Sequence, residues 1–290
     1  MKTVFTFILI LETCLTFGQD FQGKAYYFSK TSLDMNFGGR QMPEDQKRAI
    51  TERMKSVFEK TFVLTFDESA SVYKEEAQLE TNDYSGRWNV IMSGLISNNY
   101  FKNIKSGEFV DQREFYGKNF LIKDTLTKYT WTMVNETKKI GNYTCFKAIT
   151  TKSLSEEMDF RSIRRKARKL RRQRENEGEE KTSDLEDENE IPNEIDVVAW
   201  YTPEIPINQG PGEFWGLPGL ILEIQQGSTT LLCNKIVLNT KEKEEIKKPS
   251  KGKEVSQTEF DKIAKKKIEE MANQFSSQRR GGFGGIRGRN

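Results

Sequence analysis

The sequence has no histidine among its 290 residues. This absence excludes Ser-His-Asp and Cys-His catalysis, imidazole proton shuttles and the common zinc sites that contain histidine. Acid–base chemistry is left to carboxylates and lysines, and Glu204 and Glu213 flank a proline-rich turn. Because nothing in their spacing singles out a catalytic pair, we expect a protein that is not an enzyme and that has no cofactor and no metal.

Cysteine is also scarce, with three residues in the whole chain. Cys14 falls in the N-terminal apolar segment, which leaves Cys145 and Cys233 in the remainder, each within a predicted strand. In an oxidising compartment these two residues can form a disulfide. The alternative is that both are small buried core residues, as unpaired cysteines usually are.

Long apolar runs are missing as well. The run Val4–Leu11 follows Lys2 and is too short to cross a bilayer, and small residues precede Gln19. The pattern is typical of a signal peptide over residues 1–18, so we expect export to the periplasm, the outer membrane or the cell surface. A buried N-terminal element is the alternative.

Net charge is small, at +3 from 46 basic and 43 acidic residues, and gives no reason to expect a nucleic-acid partner. The charges are nevertheless segregated. Nine of the fourteen residues in 161–174 are basic, and nine of the sixteen in 175–190 are acidic. With almost no apolar stripe, the span 155–193 is expected to be a solvated insertion. Binding of this basic block to nucleic acid or to anionic lipopolysaccharide is the alternative.

Short aromatic and β-branched segments dominate the rest, separated by glycines and turn residues. They predict a mainly β fold over residues 19–240, a twisted antiparallel sheet or half-barrel of roughly eight to eleven strands. An amphipathic helix after Pro43 is expected to pack on it, with Ile50, Met54, Val57 and Phe58 at helical spacing. Beyond the sheet we expect a linker over 241–255, a helix over 256–275 and a disordered Gly/Arg-rich tail over 276–290.

The stretch Trp200–Ile224 contains four of the seven prolines together with several glycines, so it cannot be helical. Its end alternates in a way that predicts a strand with Leu220, Leu222 and Ile224 on one face. A turn at Pro218 and Gly219 would direct this face to the core.

Within that stretch, Gly216, Leu217, Pro218, Gly219, Leu220 and Ile221 resemble the signature of the GLPGLI family of exported Bacteroidota envelope proteins. Further blocks resemble the family in the same order, among them 71–74, 120–124, 141–148 and 199–206 with Trp131. The resemblance covers residues 19–240. It implies an envelope protein, and none of these blocks resembles a known catalytic motif.

The leading hypothesis is a non-enzymatic protein that binds an apolar or peptide ligand on a concave sheet. Candidate ligand-lining residues are Trp131, Trp200, Tyr201 and Trp215, although each is also a plausible core residue. One alternative is an accessory subunit that docks an outer-membrane protein through the loop 203–218 or the insertion. A carboxylate-dependent hydrolase is the second alternative.

The tripeptide from Asp124 to Leu126 resembles the O-glycosylation sequon of exported Bacteroidota proteins. The resemblance makes Thr125 a candidate glycosylation site. The alternative is an ordinary turn that begins at the aspartate.

Overall fold

The computed structural model describes residues 21–32, 43–46, 48, 52, 59–76, 99–153, 194–239, 244–267 and 270. The predicted signal peptide, charged insertion and C-terminal tail lie outside these residues, as does the apolar side of the first predicted helix. The chain divides into two compact units, one of Met1–Thr150 with Asp196–Glu254 and one of Thr151–Ile195 with Val255–Asn290.

Strands make up most of the described chain, and there are twelve of them. In chain order they are β1 (Gln22–Thr31), β2 (Glu59–Asp67), β3 (Ala70–Glu75), β4 (Asn99–Asn103), β5 (Glu108–Phe115), β6 (Lys118–Thr125), β7 (Thr132–Ile140), β8 (Tyr143–Ser153), β9 (Glu194–Thr202), β10 (Leu220–Gln226), β11 (Thr229–Leu238) and β12 (Lys253–Val255).

All twelve strands belong to one sheet, in the order β12-β6-β5-β4-β3-β2-β1-β11-β10-β9-β8-β7. From β6 to β9 every neighbouring pair is antiparallel, and so are β7 and β8. The mainly β prediction is therefore confirmed. The sheet has more strands than expected because β12 falls inside the span 241–255, whose composition indicated a linker.

The main core extends across most of the sheet. One buried cluster, here core cluster one, joins Tyr27, Phe62 and Tyr73 of β1 to β3 with Cys145 of β8 and Trp200 of β9. Six strand positions separate β3 from β8, which would place them roughly 29 Å apart in a flat sheet. The cluster reaches across that span through the strands between them, with Leu220 of β10 and Cys233 of β11 among its members.

Two further clusters cover other parts of the sheet. Core cluster two contains Ala199 and Tyr201 of β9, Ile221 of β10, and Phe214 and Leu217 of the connection that precedes β10. Core cluster three lies on the β3 to β6 half and is made of Ala70, Phe101, Val110 and Leu121, with Ile246 packed against it. The segment 244–250 therefore covers apolar surface, although its sequence is rich in lysine and glutamate.

A bulge in β10 changes the predicted alternation. Leu220 and Leu222 belong to core cluster one, whereas Ile224 packs with Ile221 in core cluster two. The register with β9 shifts between Ile221 and Glu223, which inserts one extra residue into β10 and reverses the facing of the residues after the bulge. The prediction that Leu220, Leu222 and Ile224 share one face was wrong for Ile224.

Two segments of the described chain are helical. The first, α1, includes residues 44–46, 48 and 52, and begins after Pro43 as expected. The second, α2, spans 257–267 and includes residue 270. Its predicted capping box is present, because the backbone N–H of Glu259 donates to Ser256 Oγ at 3.2 Å and that of Ser256 donates to Glu259 Oε2 at 2.9 Å.

Candidate functional site

The loop between β9 and β10, residues 203–219, is folded back onto the sheet and is largely buried. Its backbone forms an isolated bridge between Gln209 and Trp215, and the Leu220 N–H donates to Ile205 O at 2.9 Å. Ile205, Ile207, Phe214 and Leu217 are all at most 5% exposed. These four apolar side chains are therefore part of the core and cannot meet a partner.

The Pro218 turn at the end of this loop depends on glycine. The Gly219 N–H donates to Leu217 O at 2.8 Å, which closes a three-residue turn around Pro218. A Cβ atom on Gly219 would lie 2.1 Å from the backbone oxygen of Thr202 and 2.6 Å from its carbonyl carbon. Only glycine allows β10 to start this close to the end of β9.

Lys102 of β4 holds the middle of the loop. Its side chain is 1% exposed, and its Nζ donates to the carbonyl oxygens of Gly210, Gly212 and Phe214 at 2.6, 2.9 and 2.8 Å. The three ammonium protons are thus matched by three backbone acceptors of one loop. Burial lowers the pKa of Lys102 to about 7, and the nearby Glu213 carboxylate opposes this change.

Polar side chains gather where the loop meets strands β3, β4 and β5, and we term this group the polar layer. It consists of Ser71, Tyr73, Lys102, Asp111, Tyr129, Gln209 and Glu213. Asp111 is fully buried and accepts from Arg113 Nη2 at 2.5 Å. Burial raises the pKa of Asp111 against the effect of Arg113, and Glu213 raises it further. Burial and Glu213 also raise the pKa of Tyr129.

Three buried polar atoms of the polar layer have no hydrogen-bond partner among the described residues. They are the hydroxyl of Tyr73, Oδ1 of Asp111 and Nε2 of Gln209. Sequence reasoning missed the polar layer except for Glu213. One signal could have indicated that Lys102 faces the interior: alternate residues of a strand share a face, which places Lys102 on the same face of β4 as the aromatic Tyr100.

Three of the four predicted ligand-lining aromatic residues lie together. Trp131 Nε1 donates to Trp215 O at 2.9 Å, and Trp215 Nε1 donates to Thr127 O at 2.8 Å. Trp131 also packs against core cluster two, which includes Tyr201. These contacts tie the 203–219 loop to the segment before β7.

Trp200, the fourth, is buried in core cluster one, away from Tyr201. Its ring lies 4.3 Å from Lys138 Nζ, and the same ammonium pairs with Glu223 at 2.6 Å. Neighbouring residues of a strand point to opposite faces, so Trp200 and Tyr201 cannot line one site. The four residues therefore do not form a single concave lining.

At the β7 and β8 end of the sheet, core cluster two is left open. Met133 is 53% exposed and Phe146 is 38% exposed, and both contact Tyr201. The Tyr201 hydroxyl lies 3.6 Å from Met133 Sδ, and the rings of Phe146 and Tyr201 are 6.1 Å apart. We term these three residues the apolar patch.

The two cysteines are among the remaining predicted sites. Cys145 and Cys233 are both buried free thiols in core cluster one, and burial raises their pKa values to about 11 and about 12. Both are thus small buried core residues in this structure, which was the alternative to a disulfide, and the disulfide remains a prediction for the exported protein.

Thr125 is exposed at the end of β6, where its N–H donates to Asp124 Oδ1 at 2.7 Å. Its glycosylation also stays a prediction.

In the part of the chain that the structure describes, no group of three or more acidic or cysteine residues is placed to hold a metal ion. None of the helical residues described forms a helix long and apolar enough to cross a membrane.

Solved structures similar to this chain include two of PNGF-II, in the C2 and P21 space groups, each with a TM-score of 0.45. Identity is 12% and 11%, and the matches cover 84% of this chain but 32% and 33% of the PNGF-II chains. This chain thus spans about a third of their length. No curated protein matches it. In sequence, residues 131–223, which run from Trp131 through the 203–219 loop into β10, are similar to a family described as a protein of unknown function, Porph_ging.

Proposed function

We propose that this protein is a non-enzymatic binding protein that holds an apolar or peptide ligand on the apolar patch. The observation that carries the proposal is the exposure of Met133 and Phe146 beside the buried ring of Tyr201. A large apolar side chain that stays in water next to an existing apolar cluster gives a ligand a surface to bury. Burying one such side chain contributes about 1.5–3 kcal/mol.

The contacts of the 203–219 loop argue against docking through that loop. Leu217 is fully buried and Phe214 is 3% exposed, so neither is available to a partner unless the core opens. The exposed side chains of this loop are those of Pro203, Glu204, Pro206, Asn208 and Pro218, and none of them is a large hydrophobic residue such as Met133 or Phe146. We therefore place the ligand at the apolar patch.

A dye titration tests this function. The fluorescent apolar probe 1-anilinonaphthalene-8-sulfonate should bind the mature chain saturably. Replacing both Met133 and Phe146 by serine should weaken binding at least about tenfold, because two apolar contacts are lost. The matched control replaces Phe28 and Leu232, exposed cross-strand neighbours on β1 and β11, by serine. Equal weakening by the two double variants would contradict the proposal.

We also propose that the protein is exported and works in the cell envelope, as a member of the GLPGLI family. The support is the N-terminal pattern of Lys2 and Val4–Leu11 and the family resemblance of residues 216–221. Mass spectrometry of the protein isolated from the envelope should find a mature N-terminus at or near Gln19. Recovery of a chain that still begins at Met1 would contradict export.

A further inference from the structure

Strand β7 forms one end of the sheet and has no strand on its outer side among the described residues. None of its nine residues is buried. An unpaired strand edge offers backbone N–H and C=O groups that can hydrogen-bond to an added strand. The apolar patch begins on this strand, because Met133 is its second residue.

The register of β7 with β8 shows which side chains accompany that edge. Met133 pairs with Ala148, Thr137 with Phe146, and Lys139 with Thr144. Cross-strand partners share a face, and alternate residues of β8 share one too, so Lys139 projects on the same face as Met133 and Phe146. The face next to the open edge is thus apolar at one end and basic at the other.

Lys139 is exposed and has no acidic partner within the described chain, in contrast to the other lysines nearby. Lys138 pairs with Glu223 at 2.6 Å on the opposite face, and Lys147 pairs with Glu136 at 2.9 Å. The basic group that a ligand on the patch side would meet is therefore Lys139.

We infer that the ligand of the apolar patch is an extended peptide that adds to the outer edge of β7, with an apolar side chain on Met133 and Phe146 and an acidic side chain facing Lys139. This inference rests on the proposed function and adds the class of ligand to it. The bulge between Val134 and Thr137 interrupts the edge. Bulges and lysines oppose indiscriminate strand pairing, so binding depends on the side-chain anchors as well as on the backbone.

The spacing of the anchors follows from the same register. Met133 opposes residue 148 of β8, and Lys139 opposes residue 144. These two partners are four positions apart, whereas Met133 and Lys139 are six apart, because the bulge adds two residues to β7. An added strand should likewise carry its apolar and acidic residues an even number of positions apart, about four. An odd spacing places them on opposite faces.

The test uses eight-residue synthetic peptides of alternating valine and threonine. Each carries one phenylalanine and, four positions away, glutamate, glutamine or lysine. Fluorescence anisotropy with the mature chain should show the highest affinity for the glutamate peptide, a lower one for the glutamine peptide and the lowest for the lysine peptide. The affinities of the first two should differ by about two- to fivefold, as expected for an exposed ion pair. Lys139→Glu should reverse this order. Lys118→Glu, the same charge change at the start of β6, should leave it unchanged.

N-methylation separates strand addition from simple apolar contact. Methylating the peptide nitrogens that face β7 should weaken binding at least about tenfold, whereas methylating the alternate set should have little effect. Equal effects of the two sets, or an order of peptides that Lys139→Glu leaves unchanged, would overturn the inference. In that case a loss of dye binding in the Met133 and Phe146 double variant would still support the proposed function. Light scattering that shows a dimer formed through β7 would also overturn the peptide ligand.

Discussion

Gly219 lies where β9 and β10 come closest, and a single added methyl group would collide with the backbone of Thr202. We expect Gly219→Ala to destabilise the fold by more than about 3 kcal/mol, because the opposing atoms are backbone and cannot rotate away. Chemical denaturation measures the free energy of unfolding.

The control for this substitution is Gly141→Ala. Gly141 has a positive φ of 57°, and a Cβ there would meet nothing within 4 Å. Its cost should be about 1 kcal/mol, from backbone strain alone. Equal costs at the two positions would show that the close approach to Thr202 does not determine stability.

Lys102 holds the 203–219 loop through three buried hydrogen bonds. Lys102→Met should destabilise the fold by about 3 kcal/mol or more, because three buried carbonyl groups lose their donor. Lys123→Met removes an ammonium that pairs with Glu254 at an exposed site, and should cost about 1 kcal/mol or less.

The lowered pKa of Lys102 predicts that the free energy of unfolding depends on pH. Burial lowers the folded-state pKa of Lys102 to about 7 from an ordinary value of 10.5, so above pH 7 the unfolded chain binds more protons than the folded one. Stability should therefore rise from pH 7 to pH 8.5, by about 1 kcal/mol or more. The chain has no histidine that would titrate in this window. Urea unfolding at several pH values should give a rising curve for the wild type and no rise for Lys102→Met, in which the two buried thiols, with their raised pKa values, lower the stability slightly towards pH 8.5. A falling wild-type curve would contradict the account.

These residues differ in how well the sequence predicts them. Gly219 follows Pro218, and that pair has a local backbone reason to form a turn, so its role was predictable. Lys102 acts through carbonyl groups about 110 positions further along the chain. Local patterns contain no information about such a contact, and a lysine in a strand is usually solvated.

Among the elements, β10 was predicted correctly in position but not in facing. Its five buried residues are apolar or, in one case, glutamate, so the strand is covered on both sides. Alternation assigns a face only while the register is regular, and the bulge at Leu222 breaks it. The apolar patch escaped prediction for a related reason, because Met133 and Phe146 come together with Tyr201 only through the pairing of β7 with β8.

The segment 244–250 is expected to contribute to stability through Ile246. Ile246 is half-buried against core cluster three, and Glu244 pairs with Lys24 at 2.7 Å. Ile246→Ala should destabilise the fold by about 1–2 kcal/mol because apolar contact is lost.

The neighbouring Lys247→Ala is the control, since Lys247 is 74% exposed and pairs with Glu245 on the same segment. It should change stability by less than about 0.5 kcal/mol. If Ile246→Ala were equally silent, the segment would be a linker, as its composition indicated.

For the whole molecule, our proposal separates two roles, stability and ligand binding. The 203–219 loop covers the core and is held by hydrogen bonds from Lys102 and Trp131. The proposed ligand surface lies at the end of the sheet, where the apolar patch meets the β7 edge. The region most distinctive in sequence is therefore assigned to stability, and binding is assigned to residues that no motif marks.

Photo-cross-linking in the native envelope tests this division most directly. Benzoylphenylalanine is placed in turn at position 133 in the apolar patch, at position 218 in the loop and at position 232 on β11, all of which reach solvent. Our account predicts a cross-linked peptide or lipid from position 133 and little from the other two. Cross-links from position 218 with none from position 133 would contradict it, because the loop would then be the binding surface.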